Sequence, residues 1–343
     1  MAFIEKFTVT ATHPITFVCC VESGPLEVQT VRMIESLRRW GGKFANAPMI
    51  AVTPRFGPPL THDTQAAFDR LQVQHLRFQS HNKYIWFNFI NKPSALVAAE
   101  EYSTTEAICW LDSDLLILGE PSELILQPGE DFLACASDKN IGSAGANDPF
   151  DRFWQEIGRS VGINVDELPW VITEAEHQKI RLYWNGGILV YRRSTGYAKD
   201  YLRMCEQMLD AQMIDHNSAE IGTGAFAHEQ IAVGLSMFRM GLSWRALPYS
   251  HDYIMSSRSH QECYKEELLR SAKITHYHDS MWHWFWPDFI QCLKNTHPEV
   301  ADWLAPLGAL SHPAPWHYRI MGKALRTKRK RQEAAYVKAC RVV

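Results

Sequence analysis

Two kinds of segment alternate along the first two-thirds of the chain. Short apolar runs, rich in β-branched residues, occupy 15–21, 48–53, 73–78, 108–111, 131–136, 181–191 and 244–247. Runs of this length predict strands, and continuous apolar ones predict strands covered on both faces. Segments of helical period lie between them. In 26–40 the apolar positions are Val28, Val31, Ile34, Leu37 and Trp40, and Gly41-Gly42 stops the pattern. Comparable helices are expected at 64–71, 94–102, 195–213 and 228–238, with a loop or short helix at 80–89 and a mobile loop at 140–149. Strand, helix, strand, helix, strand is the order of a parallel, doubly wound sheet. The expected fold is α/β and Rossmann-like, a single mixed and mostly parallel sheet with flanking helices.

One run is chemically at odds with itself. Residues 108–118 are apolar except for Asp112, Ser113, Asp114. Ionised carboxylates inside a buried strand are very costly unless paired or metal-bound. The strand is therefore expected to stop at Leu111, leaving 112–114 at its carboxyl edge, where open α/β sheets place ligands. In extended backbone, residues i and i+2 point the same way, so Asp112 and Asp114 would converge on one cation. Oxygen ligands suit Mg²⁺ or Mn²⁺ beside substrate phosphates. A polar turn between two strands is the alternative reading.

Three further stretches carry candidate chemistry. Asn185-Gly186-Gly187 interrupts an apolar run and marks a bulge or a close backbone approach. Glu229 and Gln230 stand at the start of a helix. After a loop with Tyr249, His251 and Tyr253, the apolar start of 273–279 leads to His276 and His278, then to Trp282, Trp284, Phe285 and Trp286. No Gly-x-Gly-x-x-Gly follows the first strand, which argues against a dinucleotide-dependent dehydrogenase. Glu22-Ser23-Gly24-Pro25 also lacks the Gly-rich basic loop that a nucleotidyltransferase would need.

Composition changes the picture in two places. The eight cysteines are scattered without a Cys-x-x-Cys pair, and read as reduced core residues. With no 18-residue apolar run and no basic-then-apolar layout in residues 1–6, a cytoplasmic protein is expected. The formal charge of −3 is unevenly spread. Seven Lys or Arg and no acid lie between Arg319 and Arg331, leaving 28 basic against 38 acidic residues elsewhere. Such a body is not built to hold a nucleic-acid backbone.

The order of these stretches resembles a known family. It runs from strand one to Lys92 before a helix, Leu111-Asp112-Ser113-Asp114-Leu115, Trp184-Asn185-Gly186-Gly187-Ile188, His228-Glu229-Gln230 and Ile274-Thr275-His276-Tyr277-His278. Over residues 15–286 it is similar to the metal-dependent nucleotide-sugar glycosyltransferases of the A-type fold, and most similar to the glycogenin and lipopolysaccharide galactosyltransferase group. The resemblance implies that Asp112, Asp114 and His276 hold Mn²⁺ (or Mg²⁺), which binds the diphosphate of a nucleoside diphosphate sugar, a UDP-hexose. It implies that Lys92, Ser113, Gly186, Gly187 and His278 line the donor, while Asn185, Glu229 and Gln230 frame the reacting carbon. Val21, Glu22 and Ser23, at the end of strand one, would cover the nucleoside, chiefly by the edge rule for α/β sheets. Glu229 stands where the family has Asp, and the family's glycine near Asp279 and following lysine are absent.

That resemblance divides the chain into a catalytic domain, 1–286, with a nucleotide-binding half at about 15–120 and a donor-sugar and acceptor half at about 121–286. A C-terminal extension, 287–343, follows. The implied activity is transfer of the sugar, with retention, to a carbohydrate, lipid-linked or protein acceptor. An inverting enzyme would use Glu229 as base. A catalytically decayed nucleotide-sugar-binding or scaffold protein on the same fold is the reading from another class. The basic run, with Trp316, Tyr318, Ile320, Met321 and Leu325, fits either peripheral contact with an anionic membrane or a solvated tail.

Overall fold

The computed structural model describes residues 14–78, 80, 82–140, 142–216, 225–255 and 264–343. Residues 1–6, read above for a leader, lie outside them. In chain order the strands are β1 (Ile15–Cys20), β2 (Met49–Thr53), β3 (Val73–Arg77), β4 (Ala107–Leu111), β5 (Leu115–Ile117), β6 (Phe132–Ala136), β7 (Trp170–Ile172), β8 (Lys179–Arg181), β9 (Trp184–Arg192), β10 (Met213–Ile214), β11 (Trp244–Leu247), β12 (Tyr253–Ile254), β13 (Ile274–His276) and β14 (Arg341–Val342). Seven form the central sheet, in the order β11-β6-β9-β4-β1-β2-β3. All neighbours are parallel except β9, which runs antiparallel to β4 and β6. The fold is thus the mixed, mostly parallel α/β sheet that the apolar runs predict.

Both faces of the sheet are covered, which is why its central strands read as unbroken apolar runs. On one face Phe17, Cys19 and Val21 pack with Met33, Ile34 and Leu37 of the helix Pro25–Trp40. On the other, Val18, Ile108 and Leu189 pack with residues of the helices Asn91–Tyr102, Tyr197–Asp210 and Phe226–Arg239. The Pro25–Trp40 helix starts where its sequence dictates. Pro25 stands in the first turn, where no N–H is needed, and the buried Glu27 carboxylate accepts from Gly24 N at 2.9 Å. Its other oxygen accepts from Thr61 N at 2.7 Å, tying down the loop after β2.

The helix Asp151–Ser160 and the β7–β8 hairpin have no counterpart in the sequence reading. The hairpin's local signal is weak for a physical reason: three-residue strands are too short for alternation to be read. A small second sheet, β12-β13-β5, lies beside the end of β4. Residues beyond 286 share a third core with it, in which Leu116, Tyr253 and Tyr277 meet Phe289, Leu293 and Val300. The basic run belongs to a helix, Trp316–Ala339, in place of the expected tail. Tyr336 on that helix is buried, with its hydroxyl on Leu209 O at 2.9 Å, and β14 pairs with β10.

Candidate functional site

The carboxyl edge of β4, the start of β9 and the small sheet meet at residues 112–114. Where extended backbone would send Asp112 and Asp114 the same way, the chain turns, with Leu115 N on Asp112 O at 3.3 Å. Ser113 is the pivot: its hydroxyl donates to Cys20 O at the end of β1 (2.8 Å), and Thr30 Oγ1 lies 3.2 Å from it. The two carboxylates therefore enter different surroundings, and the reasoning from a two-residue period does not carry past Leu111.

On one side stands a lysine cluster. Lys92, in the first turn of its helix, is buried, whereas a lysine at a helix start is ordinarily solvated. Its ammonium donates to Gly186 O at 2.7 Å and lies 3.0 Å from Glu229 Oε1 and 3.5 Å from Asp112 Oδ1. Trp110 Nε1 donates to the same Asp112 oxygen at 2.6 Å, and Tyr201 donates to Glu229 Oε1. Burial opposes the charge on Lys92, but Asp112 and Glu229 outweigh it and hold its pKa above the ordinary lysine range. Burial pushes the Asp112 carboxyl up to about 6, against the pull of Lys92. Glu229 sits at 1% exposure in the first turn of the helix Phe226–Arg239, and the next residue, Gln230, accepts from Tyr183 OH.

Asp114 faces away from that cluster. Its Oδ1 lies 3.1 Å from His276 Nε2, and the other ring nitrogen of His276 lies 3.2 Å from Asp252 Oδ1. Strand pairing sets this up: β13 runs antiparallel to β5 with His276 opposite Leu115, while β12, which follows Asp252, pairs with β13 on its other side. The His278 backbone takes φ 46°, a left-handed conformation that costs a non-glycine residue about 1–2 kcal/mol, and its ring lies 4.1 Å from that of His276. Ligand atoms of Asp114, His276 and His278 all lie within 4.8 Å of one another. Burial alone would raise the Asp114 carboxyl, but the charge and hydrogen bond of His276, with His278 nearby, hold it at about 2. Burial likewise disfavours a charged His276, yet Asp114 and Asp252 keep its pKa well above the usual range.

This donor set fits a divalent cation. One carboxylate and two imidazoles converge, and Asp252 supplies the carboxylate that commonly fixes a ligating histidine through its other nitrogen. Of the expected trio Asp112, Asp114 and His276, the last two stand together. His278 joins Asp114 and His276, and Asp112 borders them with one oxygen committed to Lys92 and Trp110. The reason is the turn at Ser113.

Asn185, Gly186 and Gly187 lie between the two clusters. They form the expected bulge: β6 and β9 lose register between Ala134 and Ala136. Asn185 Oδ1 accepts from Gly187 N at 2.9 Å, and Gly187 O accepts from Asp112 N at 2.9 Å. A Cβ on Gly186 would stand 2.6 Å from Lys92 Nζ, and one on Gly187 would stand 2.7 Å from His276 Nδ1. Glycine is required so that these two side chains can approach the strand.

The end of β1 behaves differently. Val21 is fully buried, with its N–H on Val52 O and its carbonyl on Thr53 Oγ1. The Ser23 hydroxyl is shielded and has no hydrogen-bond partner among the described residues. Glu22 keeps a partly exposed carboxylate, gripped on both oxygens by Arg55 and touched by Asn91 Nδ2 at 3.3 Å. Asp252, Tyr201, Tyr183, Trp110 and Arg55 escape a sequence reading. Asp252 offers only a lone acid between His251 and Tyr253, and no local pattern marks the others.

Residues 17–241 match a family described as Rhodobacterales glycosyltransferase domain. Asp252, His276 and His278 lie beyond the matched residues. Among solved structures, the chain is similar to the apo form of the bifunctional glycosyltransferase WbbM, at 10% sequence identity and a TM-score of 0.47. That likeness covers 87% of this chain and 52% of the other, so the chain spans about half the length of that protein. No curated protein sequence matches.

Proposed function

The chain belongs to the Rhodobacterales glycosyltransferase domain family, and from that premise we propose that it moves a sugar from a nucleoside diphosphate sugar to an acceptor hydroxyl, with the help of a divalent cation. The observation that carries the reading is the convergence of Asp114, His276 and His278 beside the Lys92–Glu229 cluster. Asp114, His276 and His278 would hold Mn²⁺ or Mg²⁺, with Asp112 at its border. A bound divalent cation neutralises charge developing on the leaving diphosphate and orients it.

The chain's own residues have separable tasks. Asp252 holds His276 Nδ1, leaving Nε2 aimed at the cation position. Lys92, in contact with Asp112, Glu229 and Gly186 O, would hold these groups in one arrangement beside the donor. Asn185 and Gln230 border the donor sugar. We take configuration to be retained, because Glu229 is buried and its Oε1 is engaged by Lys92 and Tyr201, a poor presentation for an acceptor base. The donor is taken to be a UDP-hexose, and the acceptor a carbohydrate, lipid-linked or protein hydroxyl.

A panel of nucleotide sugars tests this directly. Slow hydrolysis of one donor is expected with Mn²⁺ or Mg²⁺, and should disappear on chelation. A fold-intact protein that binds a donor yet turns over none of them would instead be a nucleotide-sugar-binding protein with a decayed site.

A further inference from the structure

The basic run near the C-terminus was expected to face only solvent or a membrane. Its helix instead lies along the segments that follow β1 and β2. The partly or fully buried positions Tyr318, Gly322, Leu325, Arg329, Glu333, Tyr336 and Cys340 recur every three or four residues and mark the inward stripe. Arg329 occupies the middle of it, where an apolar residue would be the ordinary choice. It donates to Phe56 O at 2.7 Å, in the loop after β2. A side chain built at Gly322 would meet Arg326 Nη1 at 3.4 Å and Pro58 Cγ at 3.9 Å, so Arg326 lies back along the helix beside the same loop. Further up the chain, His312 Nε2 lies 3.3 Å from where a Cβ on Gly24 would stand, and Arg319 holds His312 O at 2.7 Å. The extension thus touches both segments that follow β1 and β2 at the ligand edge of the sheet.

The charges there do not balance. Arg55 and Arg326 both act on Arg329 at this edge, and Glu22, which acts on it with the opposite sign, has both oxygens on Arg55. Burial, followed by repulsion from Arg55, lowers the pKa of Arg329 from the usual guanidinium range. Arg329 is half-buried and Arg326 is exposed beside it, and three guanidinium groups gathered near one carboxylate repel one another without a further anion. The cluster is continuous with the site: Glu22 Oε1 accepts from Asn91 Nδ2 at 3.3 Å, and the next residue, Lys92, lies 3.5 Å from Asp112. Planar guanidinium groups suit phosphate recognition better than lysine does.

We propose that Arg326 and Arg329 close the donor site from the C-terminal helix, binding phosphate charge of the nucleoside diphosphate, while Glu22 holds Arg55 in place beside them. The inference rests on the donor reading above. It assigns to the side of the helix beside the loop after β2, with Arg329 half-buried and Arg326 exposed, a binding role distinct from the exposed Lys323, Lys328 and Arg331.

The test compares two variants that each lose positive charge from the same helix, in the full-length protein. One is R326Q/R329Q, on the side of the helix toward the loop after β2 (the inward variant), and the other is K323Q/K328Q, away from that side (the outward variant). Calorimetric titration with UDP, GDP and ADP, in the presence of Mn²⁺, is the first readout, and titration with the matching uncharged nucleosides is the second. The inward variant should bind the preferred diphosphate about tenfold to a hundredfold more weakly, as expected for losing charge-assisted hydrogen bonds. Its nucleoside binding and melting temperature should hold, and Arg329→Lys should keep part of the affinity. The outward variant should match the wild type. Equal diphosphate affinity in wild type and R326Q/R329Q overturns the inference and leaves the donor reading standing. An equal loss on nucleoside and diphosphate also overturns it, since that marks a displaced loop. An effect of R326Q/R329Q confined to sedimentation with anionic liposomes would assign the arginines to a membrane and overturn it too. If the wild type binds no diphosphate with Mn²⁺, the donor reading itself falls and takes this inference with it.

Discussion

Asp112 and Asp114 are two residues apart, yet they belong to two different electrostatic regions. The Asp112 region is closed on itself. Lys92, Glu229, Trp110 and Tyr201 satisfy one another, and burial leaves the Asp112 carboxyl at about 6. The Asp114 region is the one proposed to take a cation. Its carboxyl sits at about 2 because a charged imidazole faces it, and a second imidazole stands within ligand distance. Environments that push two like groups apart are a common way to give them separate tasks. Here the first region ties Lys92 to two carboxylates of the protein, and the second pairs a carboxylate with imidazoles where the metal ion is proposed to sit. The same acid-Ser-acid turn serves both because Ser113 is pinned to β1.

Breaking the closed region should have the largest effect. Lys92→Met leaves the buried Glu229 and the partly exposed Asp112 without their cation, and should destabilise the protein by roughly 3 kcal/mol. Chemical denaturation would measure it, and a loss under about 1 kcal/mol would mean that these carboxylates are not held as described.

The Asp114 region should lose function more than stability. Asp114→Asn is expected to lower metal-dependent turnover on the order of a hundredfold, near 3 kcal/mol, with the melting temperature little changed. Asp112→Asn should also lose turnover but keep more of the metal affinity. If Asp112→Asn proves the more damaging to metal affinity, the division between the regions is drawn in the wrong place.

Asp252 tests the Asp114 region one shell further out. Asp252→Asn should weaken metal binding by roughly tenfold to a hundredfold, since the histidine it orients is a proposed ligand. Unchanged affinity would show that strand pairing alone positions His276.

The smallest effect is on pH. The raised pKa of His276 means that a proton lies on it near neutrality, and that proton must leave when a metal binds. Metal affinity should therefore rise with pH across the neutral range, by at most about tenfold per unit for one proton released. Titration in two buffers of different ionisation enthalpy would count the protons. Affinity that is flat or falls as pH rises contradicts the description of His276.

Much of this architecture is legible in the chain because it follows from short-range physics. Strands buried on both faces must be apolar throughout, and Pro25 and Gly41 limit a helix by their own backbone chemistry. Asn185-Gly186-Gly187 announces a bulge for the same reason. What lies around each candidate residue is another matter. Asp114 meets His276 across 162 residues of sequence, and Lys92 meets Gly186 across 94. Asp252 and Tyr201 carry no local mark of their partners, and the basic run reads as a solvated tail until the helix Trp316–Ala339 is seen against the loop after β2.

The sequence by itself determined which residue types are present, the period of each element and the places where the chain must turn, since each of these depends on a few adjacent residues. Only the tertiary structure decided that Asp112 pairs with Lys92 and Asp114 with His276, that Gly187 makes room for an imidazole, and that Arg329 turns inward. Those outcomes depend on which surfaces are desolvated together. Desolvation joins residues by distance in space, for which distance along the chain is no guide.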